Sequence, residues 1–400
     1  MAYPVEVYVG VDWFIGSIMM CYLMYPIIQI LTDKLSNEKR YMVCIGGIVV
    51  LFYSMLMKEW FPGTDLYYNT FFRFLEFSIG AVIPHNVEIM KEKNIVFMGT
   101  PDFAVPILKY LIDTTNVVMV VTQPDKITGR KKELVPSPVK VLARFYNIPV
   151  FQPTKLRLDY EPLKNLDIDL IVTCAYGQIL SKDVLDIPKL GCVNVHASIL
   201  PNYRGSAPIQ WALFNNEKKT GITIYYMDEK MDSGDIIKIN EIPITNDDNV
   251  GTLHDKLSAL GVTTLKEVLP KILDGTAKSY KQPNTFTLAP MIKRSDERLN
   301  FNEEGNKIIG KIKGLNPWPL ANIVINNTEI KVLDATFVKK DTKDTSKIVV
   351  LDKNNLGISC RDGIIYLGLV KPSGKKNMDI KSFINGNKTL NIGMVINDEN

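Results

Sequence analysis

The chain has 400 residues, 46% of them hydrophobic and 22% charged, with a formal net charge of +4. This balance is that of a globular protein and excludes a disordered or fibrous chain, and at roughly 150 residues per domain the length suggests two or three domains. Five scattered cysteines (Cys21, Cys44, Cys174, Cys192, Cys360) form no C-x-x-C pair, and the only histidines are His85, His196 and His254. That argues against a zinc ribbon, an iron–sulfur cluster, a disulfide scaffold and a multi-histidine site, so no metal is expected.

Charge divides the chain unevenly. Residues 1–89 carry five basic and eight acidic side chains, a net −3, which leaves +7 for residues 90–400. Phe14 to Leu31 is an uncharged run of 18 residues and Tyr41 to Met57 another of 17. Both are near the lower limit of roughly 17–25 apolar residues for crossing a bilayer. The intervening TDKLSNEKR has three basic residues, which the positive-inside rule places in the cytoplasm. A third apolar stretch, Phe71 to Ile83, contains Arg73 and Glu76. The competing reading is a buried helical hairpin. The two spans followed by FFRFLEFSIGAVI loosely resemble a segment of the acyltransferase-3 family of membrane enzymes. They are expected to form a transmembrane-like fragment without chemistry of its own, giving membrane association wherever residues 1–89 are retained.

From Met90 the texture is that of a different protein. Ile95–Met98 reads as a strand, followed by a Gly-Thr-Pro turn and a helix from about Phe103 to Ile112. Val117–Thr122, Leu170–Cys174, Val193–His196 and Ile222–Tyr226 read as further strands, and Pro138–Asn147 as a helix opened by its proline. Strands alternating with helices predict an α/β, Rossmann-like domain with a mostly parallel sheet. The first turn is G-T-P-D-F and not G-x-G-x-x-G, so a dinucleotide cradle is absent, and no P-loop occurs. After about residue 275 helical periodicity fades. Short β-rich pieces recur at Ala321–Ile325, Ile330–Phe337, Ile348–Leu351, Gly357–Cys360 and Gly363–Leu369, the pattern of a small antiparallel barrel or sandwich. The domains are therefore expected at 1–89, 90–275 and 294–400, with an extended linker over 276–293.

The densest chemical signal is GCVNVHASILPNYRGSAPIQWAL, residues 191–213. Period-two alternation puts Asn194 and His196 on one face at the end of a strand, where open α/β sheets bind ligands. A carboxamide and an imidazole there can supply an oxyanion donor and an acid/base group. Asp232, in MDEKMDSGDII, precedes a Ser-Gly turn that can bring its carboxylate to the same place. Taken singly, each of these residues has an ordinary structural reading.

Taken together, N-x-H-x-S-(I/L)-L-P-x-Y-R-G-x-A-P followed by D-x-G-D resembles the folate-dependent formyltransferase family. The strings FMGTPDFAVPIL, TQPDKITGRKKELVPSPVK, AYGQIL, APMIKRSDERLNF and GLNPWP resemble its methionyl-tRNA formyltransferase branch, over essentially all of residues 90–400. The resemblance implies a Rossmann-like domain followed by an OB-like β-barrel that binds tRNA. The implied reaction transfers the formyl group of 10-formyltetrahydrofolate to the amine of methionine on initiator tRNA, for translation initiation. By the same resemblance Asn194, His196 and Asp232 are the catalytic residues. Ser198, Ile199, Leu200 and Pro201, with Tyr176, Gly177 and Gln178, are implied to meet the folate. Ile199 stands where the family has leucine, and Leu320 where its PWPGA string has glycine.

The loop Gln123–Pro138 holds Lys126, Arg130, Lys131 and Lys132 against Asp125 and Glu133. On its residues alone it is a solvated surface loop. The resemblance makes it an insertion that enters the tRNA acceptor end, with Arg130, Lys131 and Lys132 as tRNA contacts, mobile until RNA orders it. Residues 293–400 add 18 basic against 13 acidic side chains, which suits phosphate contacts along an RNA helix. A cytoplasmic monomer is expected for residues 90–400. The competing readings are a sugar-nucleotide formyltransferase, a membrane acyltransferase fragment with an appended domain, and an inactive RNA-binding module.

Overall fold

Strand β1 (Asn94–Gly99) lies inside a sheet covered on both faces, and its residues Ile95, Val96, Phe97 and Met98 are all fully buried. That double burial is why the strand reads as a continuous apolar run rather than an alternating one. The computed structural model describes residues 90–128 and 133–397. A 3-10 turn (Asp102–Ala104) leads into α1 (Val105–Thr114), with Pro106 in the first turn, where its missing N–H leaves no bond unmade. Then come β2 (Asn116–Val121), the short ladder of β3 (Lys126–Thr128) and β4 (Glu133–Val135), α2 (Pro138–Phe145), β5 (Val150–Phe151) and α3 (Glu161–Lys164). After them run β6 (Leu170–Cys174), α4 (Lys182–Leu185), β7 (Cys192–His196), α5 (Pro208–Phe214), β8 (Lys219–Tyr226), β9 (Ile236–Pro243) and the long α6 (Val250–Leu273).

The large sheet has the order β5-β2-β1-β6-β7-β8-β9. Its first five strands are parallel, as the alternation of strands and helices predicts, whereas β8 runs antiparallel to β7 and β9 to β8. Val96, Met98, Val121 and Ile171 pack on one face with Leu156, Leu163 and Val184. The other face is covered by α1 and α6, and α6 also packs along β8. The start of α6 is fixed by a reciprocal cap in which Asn249 accepts from the Thr252 N–H and Thr252 from the Asn249 N–H.

The second half is β-rich. It contains α7 (Gly305–Leu315), β10 (Ala321–Ile325), β11 (Thr328–Lys339), β12 (Ile348–Leu351), β13 (Leu356–Cys360), β14 (Gly363–Pro372), β15 (Met378–Asp379) and α8 (Ile380–Asn385). The strands form one antiparallel sheet, β10-β11-β14-β13-β12, with β15 on β14. Bulges in β11 and β12 bend it. The segment before the C-terminus bridges its two edges. Gly393 and Met394 exchange backbone bonds with Ile348 of β12, and Asn397 bonds Val324 of β10 through both its N–H and its side-chain oxygen. The enclosed core includes Leu299, Phe301, Ile308, Ile323, Ile358 and Ile365.

Helices α7 and α8 correct the expectation that helical structure ends near residue 275. α7 reads GNKIIGKIKGL, and three glycines in eleven residues imitate turn composition. Two of them mark close packing against α5: a Cβ on Gly310 would stand 2.4 Å from the Leu213 carbonyl oxygen, and one on Gly314 2.6 Å from the Phe214 ring. The glycines are what let α7 lie against α5. The transmembrane spans and the acyltransferase-3 resemblance of residues 1–89 lie outside the described residues. Among the described residues, no helix is long and apolar enough to cross a membrane.

Candidate active site

The site is built on one row across three strands. In register, Thr173 of β6 faces Asn194 of β7, and Asn194 faces Tyr225 of β8. Side chains in such a row share a face and meet. Thr173 Oγ1 donates to Asn194 Oδ1 at 2.7 Å, and Asn194 Nδ2 donates to the Tyr225 hydroxyl at 3.1 Å. The Tyr225 hydroxyl in turn donates to Asp232 Oδ1 at 2.7 Å, while Asp232 Oδ2 accepts the Gly205 N–H, also at 2.7 Å. Burial, and after it the adjoining Asp232 charge, pushes the Tyr225 phenol well above its ordinary range, so it stays a donor.

His196 is two residues beyond Asn194 on the same face of β7 and is buried. Its Nε2 lies 3.0 Å from the Tyr203 carbonyl oxygen, an acceptor, which assigns the ring proton to Nε2. Nδ1 is then the nitrogen left for proton transfer, and it faces Asp232 Oδ2 at 3.7 Å. That separation exceeds a hydrogen bond. The ring is therefore oriented by the Tyr203 carbonyl, with the Asp232 carboxylate as a near charge.

Asp232 comes from the loop between β8 and β9, in the left-handed region at φ 50°. Strain of this kind persists where the surroundings fix it. Here the segment after α6 does so. Gln282 Nε2 donates to the backbone oxygens of Asp232 (2.9 Å) and Gly234 (2.8 Å), and its Oε1 accepts from Arg204 Nη2 at 2.7 Å. Two more ties hold the same segment: Tyr280 and Ile236 exchange backbone bonds, and Arg204 donates its N–H to the Thr287 carbonyl while its own carbonyl accepts the Ala289 N–H. Gly205, at φ 126°, passes so close to Ala289 that a Cβ would sit 2.5 Å from its carbonyl oxygen. Residues 276–293 contain no helix, and they form a wall of the site. Between it and the Asp232 loop opens a cleft of about 630 Å³, lined by Arg204, Lys230, Met231, Gln282, Phe286 and Leu288 among others.

The structure brings Asn194, His196 and Asp232 together. Ser198 to Pro201 leave the site directly after His196. The Ser198 hydroxyl donates to the Asn202 carbonyl, and its own carbonyl accepts from Thr223 Oγ1, which also accepts the Leu200 N–H. The Leu200 side chain packs with Tyr225 and Ile236, while Ile199 and Pro201 remain half-buried. Tyr176, Gly177 and Gln178 follow β6, one strand away. The Tyr176 ring is in the sheet's core, burial raises its phenol, and Gln178 spends its amide on Pro153, Thr154 and Leu156. Any contact these three make with a ligand is through backbone or Gly177.

Arg130, Lys131 and Lys132 lie outside the described residues. Their flanks differ from a plain loop, since Ile127 pairs with Leu134 across β3 and β4, both largely exposed. The hairpin's base is fixed by Lys140, whose ammonium lies 2.6 Å from Asp125 and 2.6 Å from Gln152. The β-branched and apolar residues of β3 and β4 favour such pairing. Sequence reasoning gave no part in the site to Thr173, Tyr225 or Arg204, and read Gln282 only as a sign of extended chain. Only Arg204, inside the Y-R-G string, left a signal there.

A carboxamide, an imidazole with one free nitrogen and a carboxylate, at the carboxyl end of β7, define a group-transfer site, and comparison specifies its class. The Formyl transferase model matches residues 93–269, and the model of the formyl transferase C-terminal domain matches residues 291–388. The chain is 44% identical over 305 residues to the methionyl-tRNA formyltransferase of Staphylococcus aureus strain MW2, covering 75% of this chain and 98% of that protein. To the methionyl-tRNA formyltransferase of Listeria innocua it is 46% identical over 297 residues, with coverage of 73% and 95%. The chain belongs to the methionyl-tRNA formyltransferase family. Among solved structures, an N-formyltransferase from Helicobacter canadensis, in complex with folinic acid and dTDP-3-aminofucose, aligns with a TM-score of 0.51 at 20% identity, over 69% of this chain and 98% of that one. This last likeness is one of fold.

Proposed function

We propose that the chain transfers the formyl group of 10-formyltetrahydrofolate to the α-amine of methionine on initiator tRNA. The observation that carries this reading is the shared face of Asn194 and His196 beside Asp232, within a chain similar over three quarters of its length to enzymes of that name. The amine nitrogen bonds to the formyl carbon while the bond from that carbon to N10 breaks, and one proton passes from the amine to N10. Asn194 has one amide hydrogen left after its bond to Tyr225 and gives it to the oxygen that becomes an oxyanion. His196 holds the proton in transit on Nδ1, and Asp232 stabilises the cation this creates. Ser198–Pro201 and the backbone at Gly177 form the folate side.

In this reading residues 90–275 are the catalytic domain, 276–293 the linker and 294–400 an OB-like barrel that meets the tRNA. The edge-bridging C-terminal segment supports barrel closure. Arg130, Lys131 and Lys132, in the sequence between β3 and β4, contact the acceptor end. The test uses 10-formyltetrahydrofolate labelled at the formyl carbon, offered with charged initiator tRNA or with a dTDP-amino sugar. Label in formylmethionine supports the proposal, and label only in the amino sugar refutes it.

A further inference from the structure

We propose that Tyr225 is a positioning residue that couples the oxyanion donor Asn194 to the carboxylate Asp232. The inference rests on the formyl-transfer reading above and adds a member to its machinery.

A phenol has one hydrogen to give. In Tyr225 it goes to Asp232 Oδ1 at 2.7 Å, so toward Asn194 Nδ2, at 3.1 Å, the same oxygen is the acceptor. A flipped amide would set Oδ1 against a phenol oxygen whose hydrogen is already given to Asp232, so Nδ2 faces Tyr225 and Asn194 Oδ1 accepts from the Thr173 hydroxyl at 2.7 Å. One amide hydrogen is thus bound to Tyr225 and the other is held in a fixed direction. The chain of bonds runs Thr173, Asn194, Tyr225, Asp232, and ends on a charge, so each bond polarises the next. Asp232 also receives the Gly205 N–H on its other oxygen, which fixes the rotation of the carboxylate and holds Oδ2 3.7 Å from His196 Nδ1.

Tyr225 is nearly fully buried, with Leu200 and Ile236 against it, so its hydroxyl has little access to water as a substitute. Without that hydroxyl the Asn194 amide can turn and the Asp232 carboxylate loses one of its two donors. The functional cost is misdirection of groups that remain present, so it falls on turnover and not on binding.

Tyr225→Phe keeps the ring and deletes the hydroxyl. Its expected effect is a fall of about tenfold or more in single-turnover formylation of charged initiator tRNA, with the folate dissociation constant within about twofold of wild type. In Asp232→Ala or Asn194→Ala backgrounds the same substitution should cost less than about threefold, because the coupled partner is already gone. Tyr225→Leu, assayed in the same way, covers the case in which the phenylalanine variant does not fold, with folate binding as the criterion of folding. A factor that multiplies unchanged in both backgrounds, or wild-type turnover in a folded variant, overturns the coupling. Absence of formylation by the wild-type protein would instead refute the underlying reading of the function.

Discussion

Asn194, His196 and Asp232 differ in how far the sequence reveals them. Alternation along Val193–His196 puts the first two on one face without any knowledge of the fold. Asp232 becomes visible through the string around it, and its left-handed backbone explains why a Ser-Gly turn follows. Tyr225 is invisible by comparison. Its meaning depends on standing opposite Asn194 across an antiparallel pair, a register that no local pattern states. At this scale the basic residues Arg130, Lys131 and Lys132 yield a prediction. Arg130→Ala should cost about 1–3 kcal/mol in tRNA recognition while folate binding is unchanged, as expected for loss of one bidentate contact. Lys131→Ala and Lys132→Ala should act more weakly, with effects that shrink as salt rises. The measurement is kcat/KM for charged initiator tRNA beside the folate dissociation constant, and an equal loss in both would assign Arg130 to the fold or the folate side.

Among the elements, the strands were the most legible. The strands at Leu170–Cys174, Ala321–Ile325 and Ile348–Leu351 have the bounds their apolar runs suggest. β9 escaped because it is an edge strand whose residues are mostly half-exposed, so it carries little alternation. α7 escaped because its glycines serve contact with α5, a tertiary reason that composition disguises. The linker is the instructive case. Gln282, Pro283 and Pro290 read as extended chain in the sequence, yet Gln282 acts some fifty residues away, on the carbonyl of Asp232. Gln282→Ala removes two donors from the Asp232 loop and the acceptor of the buried Arg204. The expected result is a stability loss of about 1–3 kcal/mol, the cost of leaving such groups unpaired, with a fall in turnover at saturating substrates. Denaturation and kcat measured together check it, and wild-type turnover in the variant would mean that the loop keeps its shape unaided.

For the whole molecule, Asn194, His196, Tyr225 and Asp232 lie within residues 93–269, which one family model matches, and Gln282 lies between that span and residues 291–388, which the other matches. A chain of residues 90–400 is therefore expected to formylate charged initiator tRNA with kcat/KM within about twofold of the 400-residue chain. An inactive 90–400 chain beside an active full-length one would give residues 1–89 a part in folding or catalysis.

The most direct test of the central claim is single-turnover formylation by His196→Ala, at saturating 10-formyltetrahydrofolate and charged initiator tRNA. His196 offers one free nitrogen to the reacting atoms, and loss of an acid/base group costs about 100-fold or more. The predicted result is a rate lowered by at least about that factor, with the folate dissociation constant close to wild type. A rate near that of the wild-type protein would contradict the assignment of proton transfer to this site.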